Sequence, residues 1–333
     1  LHKEYRRQRQ MCIRDRSIPV AKKIVKRTLI LILLGISLEW FSWFCYYWTI
    51  APANLSFIKN VMASIIDCWS LRLSGVLQRL AISYGVAAFW VFLIRHRFIP
   101  YLIGGLLTVY TIILWCGNGF AYDETNILSW VDYKVLTANH MYGDHGIDPE
   151  GVLSTLPSIA HVLLGFWIGH YLVNKDFKIS RQLLLQSQML TLFMWGVVFT
   201  FSGFLLSYGC PINKKIWSPT FVLVSCGMGC SLLALLLWLV DMKGYRKGCL
   251  FFESFGVNPL FCYVTASALA IVCATPFFSF QGKPICIRHV FYEQVLQPVF
   301  GNYGGSFLYA IGFVLLNWCI GYLLYRRRIF IKL

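Results

Sequence analysis

The segment Ser74-Gly-Val-Leu-Gln-Arg-Leu-Ala-Ile-Ser-Tyr84 opens an apolar stretch that runs to Ile94, long enough to cross a membrane as a helix. It places one arginine, Arg79, several residues inside this run. A guanidinium in hydrocarbon costs roughly 2.5–3.5 kcal/mol, so it needs a partner, a water-filled cavity or a route to the interface. Two interpretations stay open: Arg79 belongs to a functional site, or it snorkels about 7–8 Å to the end of the span.

Similar apolar runs recur along the chain, which is 58% hydrophobic and only 13% charged. Soluble domains carry about 25% charged residues, so the composition excludes an ordinary soluble protein. Runs of about 20 apolar residues predict transmembrane helices. We count eight, at about 28–50, 74–94, 98–119, 152–173, 183–208, 219–240, 249–275 and 305–325. The predicted fold class is all-α, a polytopic integral membrane helical bundle with about eight transmembrane helices.

The net charge of +16 follows the membrane topology. With the N-terminus in the cytoplasm, sixteen basic residues from Ala21 onward fall inside and seven fall in outside loops. This positive-inside bias predicts that both termini of the chain are cytoplasmic. It explains the charge, and we expect no nucleic-acid partner.

The N-terminal segment differs from the rest. Residues 1–20 are polar and basic, lack the apolar core of a signal peptide, and are interpreted as disordered or foreign to the gene. The membrane domain is predicted over 21–333. Most of the twelve cysteines fall inside predicted spans, and no Cys/His spacing typical of zinc occurs, so we expect no metal.

Three outside loops are candidates for a substrate site. The segment 120–151 is long and acidic, and its apolar and aromatic content argues against disorder. The loop at 209–219 is basic, and the one at about 276–304 is mixed. Together they suit a polar substrate met from outside, although solvated connectors would look similar.

Polar residues within the spans each allow two interpretations. Glu39 and His161 sit well inside the membrane, where polar side chains often line a substrate path. Glu39 could instead pair with Arg79, and His161 could make a single hydrogen bond between helices. Asn258 could mark the site or only a helix break before Pro259.

The motif Asp148-Pro-Glu-Gly-Val-Leu-Ser-Thr-Leu-Pro also has two interpretations. Pro149 and Gly151 predict a turn, and Asp148 could cap a helix beginning near Glu150. The free N–H groups of that helix start could alternatively hold an anion or a carbonyl oxygen.

Five ordered motifs carry a family resemblance. They are Lys26-Arg-Thr-Leu-Ile-Leu-Ile-Leu-Leu-Gly, Ser74-Gly-Val-Leu-Gln-Arg-Leu-Ala, Asp148-Pro-Glu-Gly-Val-Leu-Ser-Thr-Leu-Pro-Ser-Ile-Ala, Pro211-Ile-Asn-Lys-Lys-Ile-Trp-Ser and Phe255-Gly-Val-Asn-Pro-Leu-Phe. Over residues 21–333 the chain resembles the heparan-alpha-glucosaminide N-acetyltransferase family of transmembrane acyltransferases, in its bacterial form.

The resemblance implies an activity: acetyl-CoA from the cytoplasm donates its acetyl group to an amino sugar on the opposite face. The family's proposed catalytic histidine lies in a His-Ala-x-Trp-Asn-Gly-like segment between two N-terminal helices. This chain has no such segment, so it is interpreted as truncated by about two spans, and its catalytic residue stays unknown.

The same motifs imply the remaining site residues. Those expected to bind the substrate are Gln78, Arg79, Asp148, Glu150, Asn213, Lys214, Lys215 and Asn258. Lys214 and Lys215 would pair with an anionic sugar, and Asp148 or Glu150 would orient its amine. Cytoplasmic basic residues that could attract the CoA phosphates are Arg95, Arg97, Lys243 and Arg246.

The expected function is therefore acetyl transfer to an amino-sugar-containing glycan at the outer, periplasmic face of a bacterial inner membrane. A transporter or channel for a polar solute is the alternative, although the chain lacks a convincing internal repeat. An inactive fragment is a third possibility. The partners expected are the lipid bilayer and the glycan, and a homo-oligomer stays open.

Overall fold

The structure is a computed structural model that describes residues 18–50, 57–66, 71–142, 146–173, 180–280 and 283–331. The chain divides into two compact units. The first holds the described residues up to Leu33 and those within Arg72–Tyr245, and the second holds those within Leu34–Leu71 and Arg246–Leu333.

The first unit is built from helices. They are the start of α1 (Ile18–Ile50), then α3 (Val76–Leu93), α4 (Ile99–Cys116), α5 (Ile127–Leu136), α6 (Thr155–Val173), α7 (Arg181–Leu206) and α8 (Pro219–Leu236). Short 3-10 turns at His96–Phe98 and Ala138–His140 precede α4 and follow α5, and a π-helical stretch, Leu237–Met242, extends α8.

Helix α6 is the centre of the first unit and packs against α3, α4 and α8. Its Ala160 and Leu163 are fully buried, together with Leu192 of α7. A second apolar cluster contains Tyr110 and Leu128, and it fixes α5 beneath the loops. The core therefore runs along α6 and ends where the loops begin.

Helices α7 and α8 approach each other closely because small residues face one another. A Cβ at Gly227 would collide with the backbone and side chain of Thr200, and one at Gly196 would collide with Ser231. Such small-residue contacts are a common way for membrane helices to associate, because the backbones can then pack directly.

The second unit contains the end of α1 and the remaining elements. These are α2 (Phe57–Ile66), α9 (Cys249–Val257), α10 (Pro259–Ala274), strands β1 (Phe278–Phe280) and β2 (Lys283–Ile285), a helical turn (Ile287–His289), a π-helical stretch (Val290–Leu296) and α11 (Gln297–Arg326). The strands form an antiparallel hairpin in which Phe278 pairs with Ile285. In this unit the indole nitrogen of Trp318 donates to Ser254 at 2.9 Å.

The described helices confirm the predicted all-α membrane class. Seven are long and apolar enough to cross a membrane, and an eighth span exists if the bent pair α9–α10 counts as one. The predicted span at 249–275 is broken at Asn258, where the sequence offered a helix break, and α9 and α10 are bent by 89° on either side of it. Pro259 at the start of α10 has no N–H to continue the α9 ladder, which accounts for the break.

The first unit gathers three loops at one end of its helices. We call this end the loop face and define it as residues 72–75, 117–142, 146–154 and 207–218. Trp115 donates to the carbonyl of Gly209 at 3.0 Å, and Tyr110 donates to that of Ile216 at 2.5 Å, which joins α4 to the third loop. The acidic segment is ordered around α5, whose Asn126 side chain accepts from the N–H of Leu128.

Candidate functional site

Arg79 lies in the first turn of α3 and is only 6% exposed. Its two terminal nitrogens donate to the carbonyls of Pro149 at 2.5 Å and Ser154 at 2.6 Å. The guanidinium carbon also stacks 4.0 Å from the ring centre of Trp217. These partners all lie in the same unit as Arg79. The sequence had left open a pairing with Glu39 instead. The guanidinium therefore points inward to the loop face and does not snorkel.

Trp217, whose ring stacks on Arg79, has a strained backbone. Its φ is 51°, a left-handed conformation that a bulky residue rarely adopts. Strain of this kind persists only where surrounding contacts fix it, and it clusters at functional sites. The hydrogen bond from Tyr110 to the preceding carbonyl, that of Ile216, is one such contact.

A second arginine, Arg72, holds the Asp-Pro-Glu motif. Its Nη2 lies 2.7 Å from Asp148 and 2.5 Å from Glu150. Asp148 also accepts from Ser74 at 2.6 Å, from the N–H of Tyr142 at 3.1 Å and from the N–H of Glu150 at 2.9 Å. Both Asp148 oxygens are thus fully engaged in positioning the loop.

The helix after this motif begins later than the sequence suggested. Helix α6 starts at Thr155, whereas capping by Asp148 required a start near Glu150. The capping interpretation is therefore wrong, because Asp148 instead forms a local turn through the N–H of Glu150. Between the turn and the helix, Ser154 donates to the carbonyl of Gly151 at 3.0 Å.

Asp132, on α5, contacts the same loop. It is 1% exposed, and its Oδ1 accepts from the N–H of Val152 at 2.8 Å. A Cβ at Gly151 would collide with this carboxylate, so only glycine allows the loop to lie there. The segment 148–154 is thus held between Arg72, Arg79 and Asp132.

Several buried polar atoms of this unit have no hydrogen-bond partner within the described residues. They are Gln78 Nε2, Arg79 Nε, Ser129 Oγ, Asp132 Oδ2, His161 Nδ1 and Trp217 Nε1. Each unsatisfied buried polar atom costs about 1–3 kcal/mol, and native proteins retain few of them. Two of them, Arg79 Nε and Trp217 Nε1, belong to the Arg79–Trp217 contact, and the His161 ring centre lies 6.0 Å from that of Trp217. Such a set of unsatisfied buried atoms is typical of a site that a polar ligand or water completes.

The two aspartates differ in electrostatic state. Burial raises the pKa of Asp132 to about 7, against the opposing hydrogen bond from Val152. Burial would also raise the pKa of Asp148, but hydrogen bonds from Arg72 and Ser74 outweigh it and hold that pKa below its usual value. Asp148 is therefore a fixed anion, while Asp132 can change charge near neutral pH.

The other predicted substrate residues of this unit lie at the edge of the loop face. Asn213 accepts from the N–H of Lys215 at 2.8 Å in a local turn. The Lys215 ammonium donates to the Tyr122 hydroxyl at 2.6 Å, and Lys214 is exposed. The pairing of these lysines with an anionic sugar stays a prediction.

Asn258 belongs to the second unit. Its side chain donates to the carbonyl of Ile329 at 2.8 Å and accepts from the N–H of Ile331 at 2.8 Å. It makes no side-chain cap for α10. The structure therefore assigns it the task of fixing the C-terminal segment to the bend, and a substrate role stays a prediction.

The basic residues predicted to attract CoA are all surface residues. Arg95 and Arg97 lie in the turn between α3 and α4, at the end of α3 opposite Arg79, about 24 Å away along the helix. Lys243 follows the π-helical stretch, and Arg246 precedes α9 in the second unit. Their role with CoA stays a prediction.

Sequence reasoning missed Asp132, Arg72 and Trp217. Asp132 was one of several loop acids, and Arg72 was only counted as a basic loop residue. The signal available for Asp132 was its spacing of three from Ser129 in a helix-compatible apolar pattern, which places both on one face. No local signal marked Arg72, whose partner Asp148 is 76 positions away.

The apolar helices and the buried polar cluster define an integral membrane protein with a polar site at one end of its spans. The chain matches no protein-family profile. It is similar to the heparan-alpha-glucosaminide N-acetyltransferase of Mus musculus, with 28% identity over 219 residues, and to that of Homo sapiens, with 25% identity over 215 residues.

Each match covers 61% of the chain, but only 30% of the mouse protein and 29% of the human protein. The chain thus spans less than a third of the length of these curated relatives. This distant homology supports the acyltransferase family named by the resemblance, and with the helices it supports a membrane acyltransferase.

Proposed function

We propose that the protein transfers the acetyl group of acetyl-CoA to the amino group of an amino sugar in a glycan, and that the sugar binds at the loop face. The observation that carries the proposal is the set of unpartnered buried polar atoms in the first unit, which includes Arg79 Nε and Trp217 Nε1 of the stacked pair. The homology to proteins named as N-acetyltransferases supports the reaction class.

The donors in this cluster suit acyl transfer. Arg79 Nε, Gln78 Nε2 and Trp217 Nε1 are N–H groups without acceptors within the described residues. Attack of an amine on a thioester carbonyl places negative charge on the carbonyl oxygen, and buried N–H donors stabilise such an oxygen strongly. Sugar hydroxyls offer further acceptors for the same donors.

The charge distribution supports an orientation. We propose a bacterial inner membrane, with both chain termini in the cytoplasm and the loop face in the periplasm. Arg95, Arg97, Lys243 and Arg246 then lie on the cytoplasmic side, where acetyl-CoA is available, and their charge would attract its phosphates. The acceptor glycan would approach from the periplasm.

The test is an acetyl-transfer assay on the purified protein as its gene encodes it, with acetyl-CoA labelled in the acetyl group and glucosamine as acceptor. We expect labelled N-acetylglucosamine to form. Asp241 is exposed in the π-helical stretch that extends α8, outside the loop face, so the Asp241→Asn variant should match wild type. Movement of glucosamine into vesicles without acetylation would instead establish a transporter.

A further inference from the structure

One face of α5 carries two buried oxygens without partners. Ser129 and Asp132 are three residues apart, so they lie on the same side of the helix. Ser129 is 0% exposed and Asp132 is 1% exposed. Within the described residues, Ser129 Oγ and Asp132 Oδ2 accept and donate no hydrogen bond.

Two glycines lie against these oxygens. A Cβ at Gly146 would collide with Ser129, and one at Gly151 would collide with the Asp132 carboxylate. Gly146 also has a φ of 76°, which favours glycine. The loop therefore approaches both oxygens with glycine backbone. Within the described residues it donates to the other carboxylate oxygen, Asp132 Oδ1, and to neither of these two.

The charged and titratable groups around Asp132 leave its charge without an ion pair. Those that face it are Arg79 on α3, Tyr110 on α4 and Asp148 in the loop. Both terminal nitrogens of Arg79 already bind carbonyls, and Asp148 is paired with Arg72. Among the described residues no cation forms a salt bridge with Asp132.

A buried carboxylate in this setting is stable when it is protonated or when a ligand supplies a cation. An ammonium group fits the second case, since it donates three hydrogen bonds and Asp132 Oδ2 and Ser129 Oγ both accept. Asp148, which the family resemblance offered for this task together with Glu150, has no free oxygen.

We propose that Asp132 binds the ammonium group of the acceptor amino sugar through Oδ2 and accepts one of its protons before acetyl transfer. This inference rests on the proposed function. The proton leaves the ammonium nitrogen and protonates the carboxylate, which leaves a neutral amine with a lone pair. That amine attacks the thioester carbon of acetyl-CoA, the C–S bond breaks, and the thiolate takes the second nitrogen proton to give free CoA.

The experiment is calorimetric binding of glucosamine and N-acetylglucosamine to the purified full-length protein, compared with the Asp132→Asn variant. Wild type should prefer glucosamine at least tenfold. Asp132→Asn should lose that preference while it still binds N-acetylglucosamine, and the Asp241→Asn control should keep it. A variant that retains the preference overturns the inference, as does a wild type that shows none.

A second measurement needs no variant. Glucosamine binding to wild type is repeated at pH 6 in two buffers of different ionisation enthalpy. Because the ammonium displaces the proton of Asp132, binding should release close to one proton per site at pH 6 and much less at pH 8. Absence of this proton release overturns the inference even if Asp132→Asn does not fold.

The outcomes separate the two proposals. If wild type binds glucosamine in an Asp132-dependent manner but forms no N-acetylglucosamine, the proposed function fails and Asp132 remains the amine-binding residue. If acetyl transfer occurs and Asp132→Asn keeps both kcat and the preference for glucosamine, the function stands and the assignment of Asp132 fails.

Discussion

Arg79 shows how one costly residue organises its surroundings. A buried guanidinium has five N–H donors, and two of its nitrogens here bind the carbonyls at either end of the segment 149–154. The ring of Trp217 covers its face. Arg79 thereby fixes the loop that presents the candidate site, and its Nε remains for a ligand.

Replacing Arg79 by Lys tests this geometry. Lysine keeps the charge but cannot bind two carbonyls in a planar fork, so one buried carbonyl loses its partner at a cost of about 1–3 kcal/mol. We expect lower thermal stability in detergent and at least a tenfold loss of acetyl transfer. Arg97→Lys, at an exposed position, is the control for stability. Unchanged transfer by Arg79→Lys would reduce Arg79 to a structural residue.

Asp148 should control stability in acid. Its pKa is lower in the folded state, so its contribution is present above the unfolded value of about 4 and disappears as the pH falls through the folded value. At pH 7, Asp148→Asn should lower the free energy of unfolding. Breaking a buried ion pair costs roughly 3–5 kcal/mol, and we expect a loss near the lower end because the Arg72 side chain is 21% exposed. Unfolding temperatures between pH 3 and 7 measure it, and parallel curves for the two proteins would contradict it.

Asp132 should give the stability a pH dependence of the opposite sign. Its folded pKa of about 7 lies above the unfolded value, so the folded state binds an extra proton in the interval between them. Stability should therefore fall as the pH rises from about 4 to 7, and Asp132→Asn should lack this slope. The difference in unfolding temperature between the two proteins across this range isolates the effect. An equal slope in both would show that another group titrates.

At the scale of elements, packing between helices depends on where glycines fall. In α8, Gly227 is pressed against Thr200 of α7, whereas a Cβ at Gly229 would meet nothing within 4 Å. The two positions lie on different faces of one helix, so they form a matched pair. The sequence shows two glycines in an apolar run and does not distinguish them.

We expect Gly227→Ala to destabilise the α7–α8 pair and Gly229→Ala to be tolerated. Forcing extra atoms into a closely packed interface typically costs about 1–3 kcal/mol. The unfolding temperature of each variant in the same detergent measures the difference. Equal unfolding temperatures would mean that the α7–α8 interface accommodates the added methyl group without loss of stability.

At the scale of the whole molecule, the two compact units use polar residues differently. The polar atoms of Asn258 in the second unit are hydrogen-bonded to the chain itself, at Ile329 and Ile331. Among the described residues, the first unit leaves six buried polar atoms unsatisfied, whereas the second leaves two, Trp43 Nε1 and Asn317 Oδ1. The larger set of unsatisfied atoms, and with it the candidate site, belongs to the first unit.

The proposed orientation can be tested by labelling. A cysteine introduced at Lys214 on the loop face should react with a membrane-impermeant maleimide in intact spheroplasts, and one at Arg246 should react only after lysis. The parent protein is the control, because Cys116 and Cys319 are exposed. The reverse pattern would place the loop face in the cytoplasm and remove the proposed access of the glycan.

Much of the architecture could be predicted from the sequence. The predicted span 74–94 corresponds to α3 (Val76–Leu93), and 152–173 corresponds to α6 (Thr155–Val173). The helix break at Asn258 was among the alternatives, but its angle of 89° was not. Of the candidate site, the sequence named Gln78 and Arg79, which carry unpartnered atoms, and missed Asp132 and Trp217. The roles of these residues with a substrate stay predictions.

The sequence by itself determined the membrane class and the positions of the spans, because a run of about 20 apolar residues is a local property that needs no partner. Only the tertiary structure decided which polar groups are satisfied. Asp148 and Asp132 are both loop-face acids in the sequence, yet Arg72 saturates one and a glycine backbone leaves the other with a free oxygen. Hydrogen bonding of buried groups depends on contacts between distant segments, and those contacts exist only in the folded chain.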